Sequence, residues 1–60
     1  MEVTFIDIVR YHGQRAADER RRAAGAETSA ARRIHDDLAR LHETRQSHLV
    51  LLGPEDTDAA

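Results

Sequence analysis

The sequence predicts an all-α fold, an antiparallel two-helix hairpin, and three observations point to it. Apolar residues recur at helical spacing in two blocks of similar length. The short segment Gly25-Ala26-Glu27-Thr28 separates the blocks, and Thr4 and Thr28 or Ser29 stand where helix caps belong. Gly53-Pro54 closes the second block with a strong stop signal.

The first helix is expected from about residue 4 to about 24. Thr4 and Asp7 have the spacing of a capping box, and Val3 and Ile8 that of a hydrophobic staple. Ile6, Val9, Gly13, Ala16, Ala17, Arg20 and Ala24 follow helical spacing, with Phe5, Ile8 and His12 beside them. Gly13 costs the helix up to about 1 kcal/mol relative to Ala. It reads as a tolerated glycine, the alternative being a kink or a close helix contact. Val3-Thr4-Phe5-Ile6 and Ile8-Val9 also suit a strand. A short strand over about 2–9, followed by two helices, is therefore the alternative architecture.

Residues 25–28 form the turn, and Gly25 ends the first helix. The second helix is expected from about 29 to about 50. Ile34, Leu38, Leu41, Arg45, His48 and Leu52 share one stripe at heptad-like spacing, with His35, His42 and Leu49 adjoining it. The hairpin unit is thus 1–53, and 54–60 is an acidic tail expected to be disordered.

Equal rise on either side of Ala26 brings together positions whose numbers sum to about 53. Tyr11 and His12 then lie near Leu41 and His42, Ala16 near Leu38, and Ala23 near Ile34. Large side chains meet small ones through the middle. The bulky apolar residues gather at the open end.

Composition argues that this hairpin needs company. Ten of the hydrophobic residues are Ala, which bury little area. A chain of 60 residues hides only about 60% of the surface its unfolded form exposes. Small proteins make up the difference with disulfides, metals or oligomerisation, and there is no Cys here. Phe5, Ile6, Val9, Leu41, Leu49 and Leu52 point in too many directions for one seam, so they are the expected interaction surface. The expected assembly is a homodimeric four-helix bundle.

The net charge of −2 is unevenly spread, basic over 10–33 and acidic over 34–60. All nine basic residues are Arg, which fits the codon bias of a GC-rich genome. The longest apolar run, Leu49 to Leu52, is far below the ~20 residues of a membrane span. The N-terminus does not read as a signal peptide, and a cytoplasmic location is expected.

From Tyr11 to Arg45 the chain resembles short uncharacterised alphaproteobacterial proteins of the sphingomonad type. The matching residues are Tyr11, Arg15-Ala16, Glu19 and Ala23, then His35, Leu38-Ala39 and Arg45. His42 stands where an aromatic is usual in that group, and the Pro common in its turn is missing. The resemblance implies a bacterial helical hairpin and no particular activity.

Three chemical readings compete with plain adhesion. Arg20, Arg21 and Arg22, with Arg32 and Arg33 across the turn, are a candidate anion or partner contact. Successive helical residues point about 100° apart, however, and no aromatic stands by for base stacking. A nucleic-acid-associated regulator using this tip is thus the runner-up to protein–protein interaction. His35 and His42 stand seven apart, about 10.5 Å along a helix, where a shared metal prefers a spacing of four. His12 approaches His42 without a third ligand, so no metal and no cofactor is expected. Ser47 and His48 are neighbours whose side chains diverge, Lys and Cys are absent, and there is no Gly-rich phosphate loop. An enzyme is not expected. The sequence points to a small non-catalytic protein that self-associates or binds another protein.

Overall fold

The computed structural model describes residues 2–58, and within them two helices, α1 (Phe5–Ala24) and α2 (Ser29–Asp58), pack as a hairpin. α1 begins where Thr4 caps it. The Thr4 hydroxyl accepts from the Asp7 amide at 3.1 Å, and the Asp7 carboxylate accepts from the Thr4 amide at 3.1 Å. Two amides that the first turn leaves unpaired are satisfied by this exchange. Residues 5–9 are helical rather than extended.

The turn is short because both ends are capped by the chain itself. The Gly25 amide donates back to the Arg21 carbonyl at 3.1 Å, and the Ala26 amide to the Ala23 carbonyl at 3.2 Å. Thr28 caps α2, its hydroxyl accepting from the Ala31 amide at 3.1 Å. Gly25 sits at φ −93°, ψ 2°, which any residue adopts.

The helix break expected at Gly53 is present, at φ 80° and ψ 168°, a conformation nearly confined to glycine. The backbone then resumes helical geometry from Pro54 to Asp58, where a disordered tail was expected. Proline suits the first position of a helix, since that amide has no partner to lose and its φ is already set. Residues 59 and 60, the end of the expected tail, lie outside the described residues.

Helix pairing follows the expected antiparallel register within two residues. His12 meets His42 and Glu19 meets His35, both pairs summing to 54, while Gln46 reaches Val9, summing to 55. The rotation of α2 departs from expectation. Its stripe against α1 is His35, Ala39, His42, Gln46 and Leu49, not Ile34, Leu38, Leu41, Arg45, His48 and Leu52. A shift of one residue is a turn of about 100°. Among the described residues Ala16, Ala23 and Ala39 are the buried apolar ones, with Glu19 beside them at 1% exposure. Small side chains let the helices approach closely, His12, His35, His42 and Gln46 fill the middle of the seam with hydrogen-bonded polar groups, and Phe5, Val9 and Leu49 close its open end.

Candidate functional site: a polar seam and an apolar face

The seam is organised around Glu19. One carboxylate oxygen accepts from Arg22 at 2.9 Å and from Arg15 at 3.2 Å, and the other lies 2.6 Å from His35 Nδ1. The hydrogen bond from His35, aided by its charge and that of Arg22, holds the Glu19 carboxyl below the usual range against the opposing effect of burial. Two turns on toward the open end, the Nδ1 atoms of His12 and His42 are 2.9 Å apart. Such a contact requires one ring to donate and the other to accept, so at most one of the two facing nitrogens carries a proton. Burial, then the nearby His42 and Arg45, push the His12 pKa down. Tyr11 lies edge-on to both rings, with centroids 5.1 and 6.0 Å away. Nearer the open end, Gln46 donates to the Val9 carbonyl at 3.2 Å, over the space left by Gly13.

The Arg cluster at the turn end is divided among carboxylates. Arg20 grips Glu43 with two bonds, of 2.7 and 3.2 Å, and reaches Asp36 at 3.5 Å. That contact holds Glu43 below the usual carboxylate range. Arg21 turns back to Asp18, and Arg22 to Glu19. Arg32 and Arg33 stand exposed in the first turns of α2, with no ion pair among the described residues. The five arginines do not converge, and the three of the run are already matched by acids.

The six expected apolar contact residues also divide. Phe5, Val9 and Leu49 are half-buried at the open end of the seam. Ile6 is 63% exposed on one side of the hairpin, the side of Arg20 and Glu43 by helical periodicity. Leu41 and Leu52 are exposed on the other side, the side of Tyr11. There they join residues left out of the expected patch. Ile34, Leu38, Leu41 and Leu52 of α2 are 59%, 38%, 49% and 44% exposed, and Tyr11 of α1 is 52% exposed, with Ile8 beside it. The signal for them was their heptad spacing, noted above but assigned to the inside of the hairpin.

A shallow depression of about 370 Å³ on α2 is lined by Glu43, Thr44, Ser47, His48 and Leu51. No nucleophile and base in it are held together by any hydrogen bond among the described residues. No group of three or more His, Cys, Asp or Glu able to hold a metal occurs among the described residues. No helix of the described residues is long and apolar enough to cross a membrane. In comparisons with known proteins, no family model, no curated protein and no solved structure matched this chain.

Proposed function

We propose that this is a small non-catalytic protein that acts by protein–protein contact, self-associating through the apolar face formed by Ile34, Leu38, Leu41 and Leu52 with Tyr11 and Ile8. One observation carries the reading: of the two neighbouring heptad stripes on α2, the more apolar one lies outside the seam with α1. A hairpin stable by itself gains most by turning its leucines inward, because burial of apolar area is the main favourable term in folding. Here the inward stripe carries His35, His42 and Gln46, each satisfied by a partner on α1. The outward stripe is left for a second surface. Exposed apolar patches of this kind mark interaction sites. The engaged state of Arg20, Arg21 and Arg22 weighs against the turn end as a nucleic-acid contact.

Sedimentation equilibrium of the purified chain tests this. The expected result is an oligomer at micromolar concentration that Leu38→Glu or Leu41→Glu converts to a monomer of retained helicity. A wild-type chain that stays monomeric at millimolar concentration overturns the reading.

A further inference from the structure

We infer that the partner on this face is a second copy of the chain, related by a two-fold axis perpendicular to the helices, so that α2 lies antiparallel on α2 of the second copy with Leu41 beside its Arg45. This rests on the self-association proposed above and specifies its geometry.

Periodicity places two stripes on the same face of the hairpin. One is Ile34, Leu38, Leu41, Arg45, His48 and Leu52 of α2, and the other is Ile8, Tyr11, Arg15, Asp18 and Arg22 of α1. The contact of Tyr11 with His42, and the placement of Arg20, Asp36 and Glu43 together on the opposite side, set this assignment. The α1 stripe is apolar only toward the open end. Toward the turn it is charged, with Arg15 bound to Asp18 and Glu19, and Arg22 bound to Glu19.

Two two-fold arrangements bring such faces together. An axis along the helices sets α1 of one copy over α2 of the other, with both turns at one end. Ile34 and Leu38 then meet Asp18, Arg22 and Arg15, and Leu52 overhangs the start of α1. That match sets large apolar side chains against ion pairs and desolvates the latter without return. An axis across the helices sets α2 over α2 with opposite direction. The α2 stripe read backwards is then its own complement. Ile34 meets Leu52, Leu38 meets the His48–Leu49 level, and Leu41 meets the aliphatic stem of Arg45, whose guanidinium stays at the rim. Asp37 of the first copy, one turn before its Leu41, lies one turn away from that guanidinium. Tyr11 lies at the level of residue 43 by the observed pairing, the midpoint of the 34–52 stripe, so the two Tyr11 rings flank the axis. Such an interface is isologous and closed, as in most dimers.

Size is compatible. The stripe is about 27 Å long at 1.5 Å per residue. The hairpin measures 22 Å in its second dimension. A face of that length and width is on the order of 600 Å² per copy, or about 1,200 Å² for the pair, the lower bound of stable specific interfaces.

Disulfide trapping decides between the two arrangements, and the absence of Cys among the described residues and in the whole sequence gives a clean background. Chains carrying Ile34→Cys, Leu52→Cys and Asp18→Cys are prepared singly, checked for native helicity, mixed in pairs and oxidised under glutathione. The expected product is a covalent dimer from Ile34→Cys with Leu52→Cys, exceeding that from either variant alone. A covalent dimer mainly from Ile34→Cys with Asp18→Cys overturns the inference in favour of the other axis. Absence of both products from chains that sediment as dimers overturns it in favour of another surface. Monomeric sedimentation of the wild type instead removes the proposed self-association itself, which keeps the two failures distinct.

Discussion

A carboxylate with 1% of its surface exposed is held in this seam by Arg15, Arg22 and His35 around it. Its pairing with His35 across the hairpin ties one rotation of α2 to one rotation of α1, because α2 turned by a residue would take away the buried carboxylate's partner on the facing helix. Glu19→Gln is therefore expected to lower the urea midpoint with an unchanged slope. Glu19→Leu is expected to cost less than Glu19→Gln, or to stabilise, since an apolar side chain of similar volume needs no partner there. A larger loss for Leu than for Gln would show that the network holds the fold together rather than choosing its register. The His pair makes a separate prediction about pH. The folded chain disfavours protonation of His12, by burial first and by His42 and Arg45 next. The unfolded chain then takes up that proton first as pH falls. Stability from this site is complete above the ordinary His range and declines as pH drops through it. The thermal midpoint is expected to be lower at pH 5.5 than at pH 8, and the difference to shrink in His12→Gln. A midpoint that does not move between those pH values contradicts this account. The Glu19 contribution has the same sign but belongs to lower pH. Its carboxyl is depressed, so its share is present above the ordinary carboxylate range and is lost as pH falls through and below that range.

Element limits follow from capping chemistry that a short window of sequence reveals, and helix rotation does not. Thr4 with Asp7, Thr28 before α2 and the break at Gly53 are local signals, and each is where the sequence implies. Which face of α2 meets α1 depends on residues far apart in the chain. Hydrophobicity alone selects Ile34, Leu38 and Leu41. The pairs that select the neighbouring stripe, Glu19 with His35 and His12 with His42, lie 16 and 30 residues apart. Helical resumption after Pro54 was hidden because an acidic, small-residue segment resembles a loop by composition, while its proline is equally a helix start. The two glycines near the seam reverse the roles their type suggests. Gly25 looks like an obligatory cap, yet its φ is negative and a Cβ there would meet only the Arg21 carbonyl at 3.7 Å. Gly25→Ala is expected to stabilise by about 0.4–1 kcal/mol through the unfolded chain. Gly13 looks incidental, yet a Cβ there would sit 2.5 Å from Gln46 Nε2. Gly13→Ala gains about 1 kcal/mol of helix propensity. It also expels the Gln46 amide from its bond to Val9, so the net effect is expected to be small. In a Gln46→Ala background the same change is expected to give the full gain. Denaturant titration of the four proteins in this cycle measures the coupling, and additivity would refute the close contact.

At the scale of the molecule, the hairpin divides its chemistry between two jobs. Polar groups specify how the two helices meet, and most of the larger apolar side chains among the described residues stay exposed. With the apolar face covered by a second copy, as proposed, the stability of the fold depends on association. A chain that unfolds from a dimer to two separated monomers gains apparent stability with concentration, about 1.4 kcal/mol per dimer for each tenfold increase at 25 °C. The thermal midpoint of the wild type is therefore expected to climb by several degrees between 5 and ~500 μM, within the range that such energies produce in small domains. Leu41→Glu places a charge at the centre of the α2 stripe, away from the seam with α1. It is expected to leave the polar seam intact, lower the midpoint and remove its dependence on concentration. Calorimetry at three concentrations, on both proteins, reads all of these effects. If wild type and variant share one concentration-independent midpoint, the outward leucines contribute nothing to stability, and the alanine-lined polar seam holds the hairpin by itself.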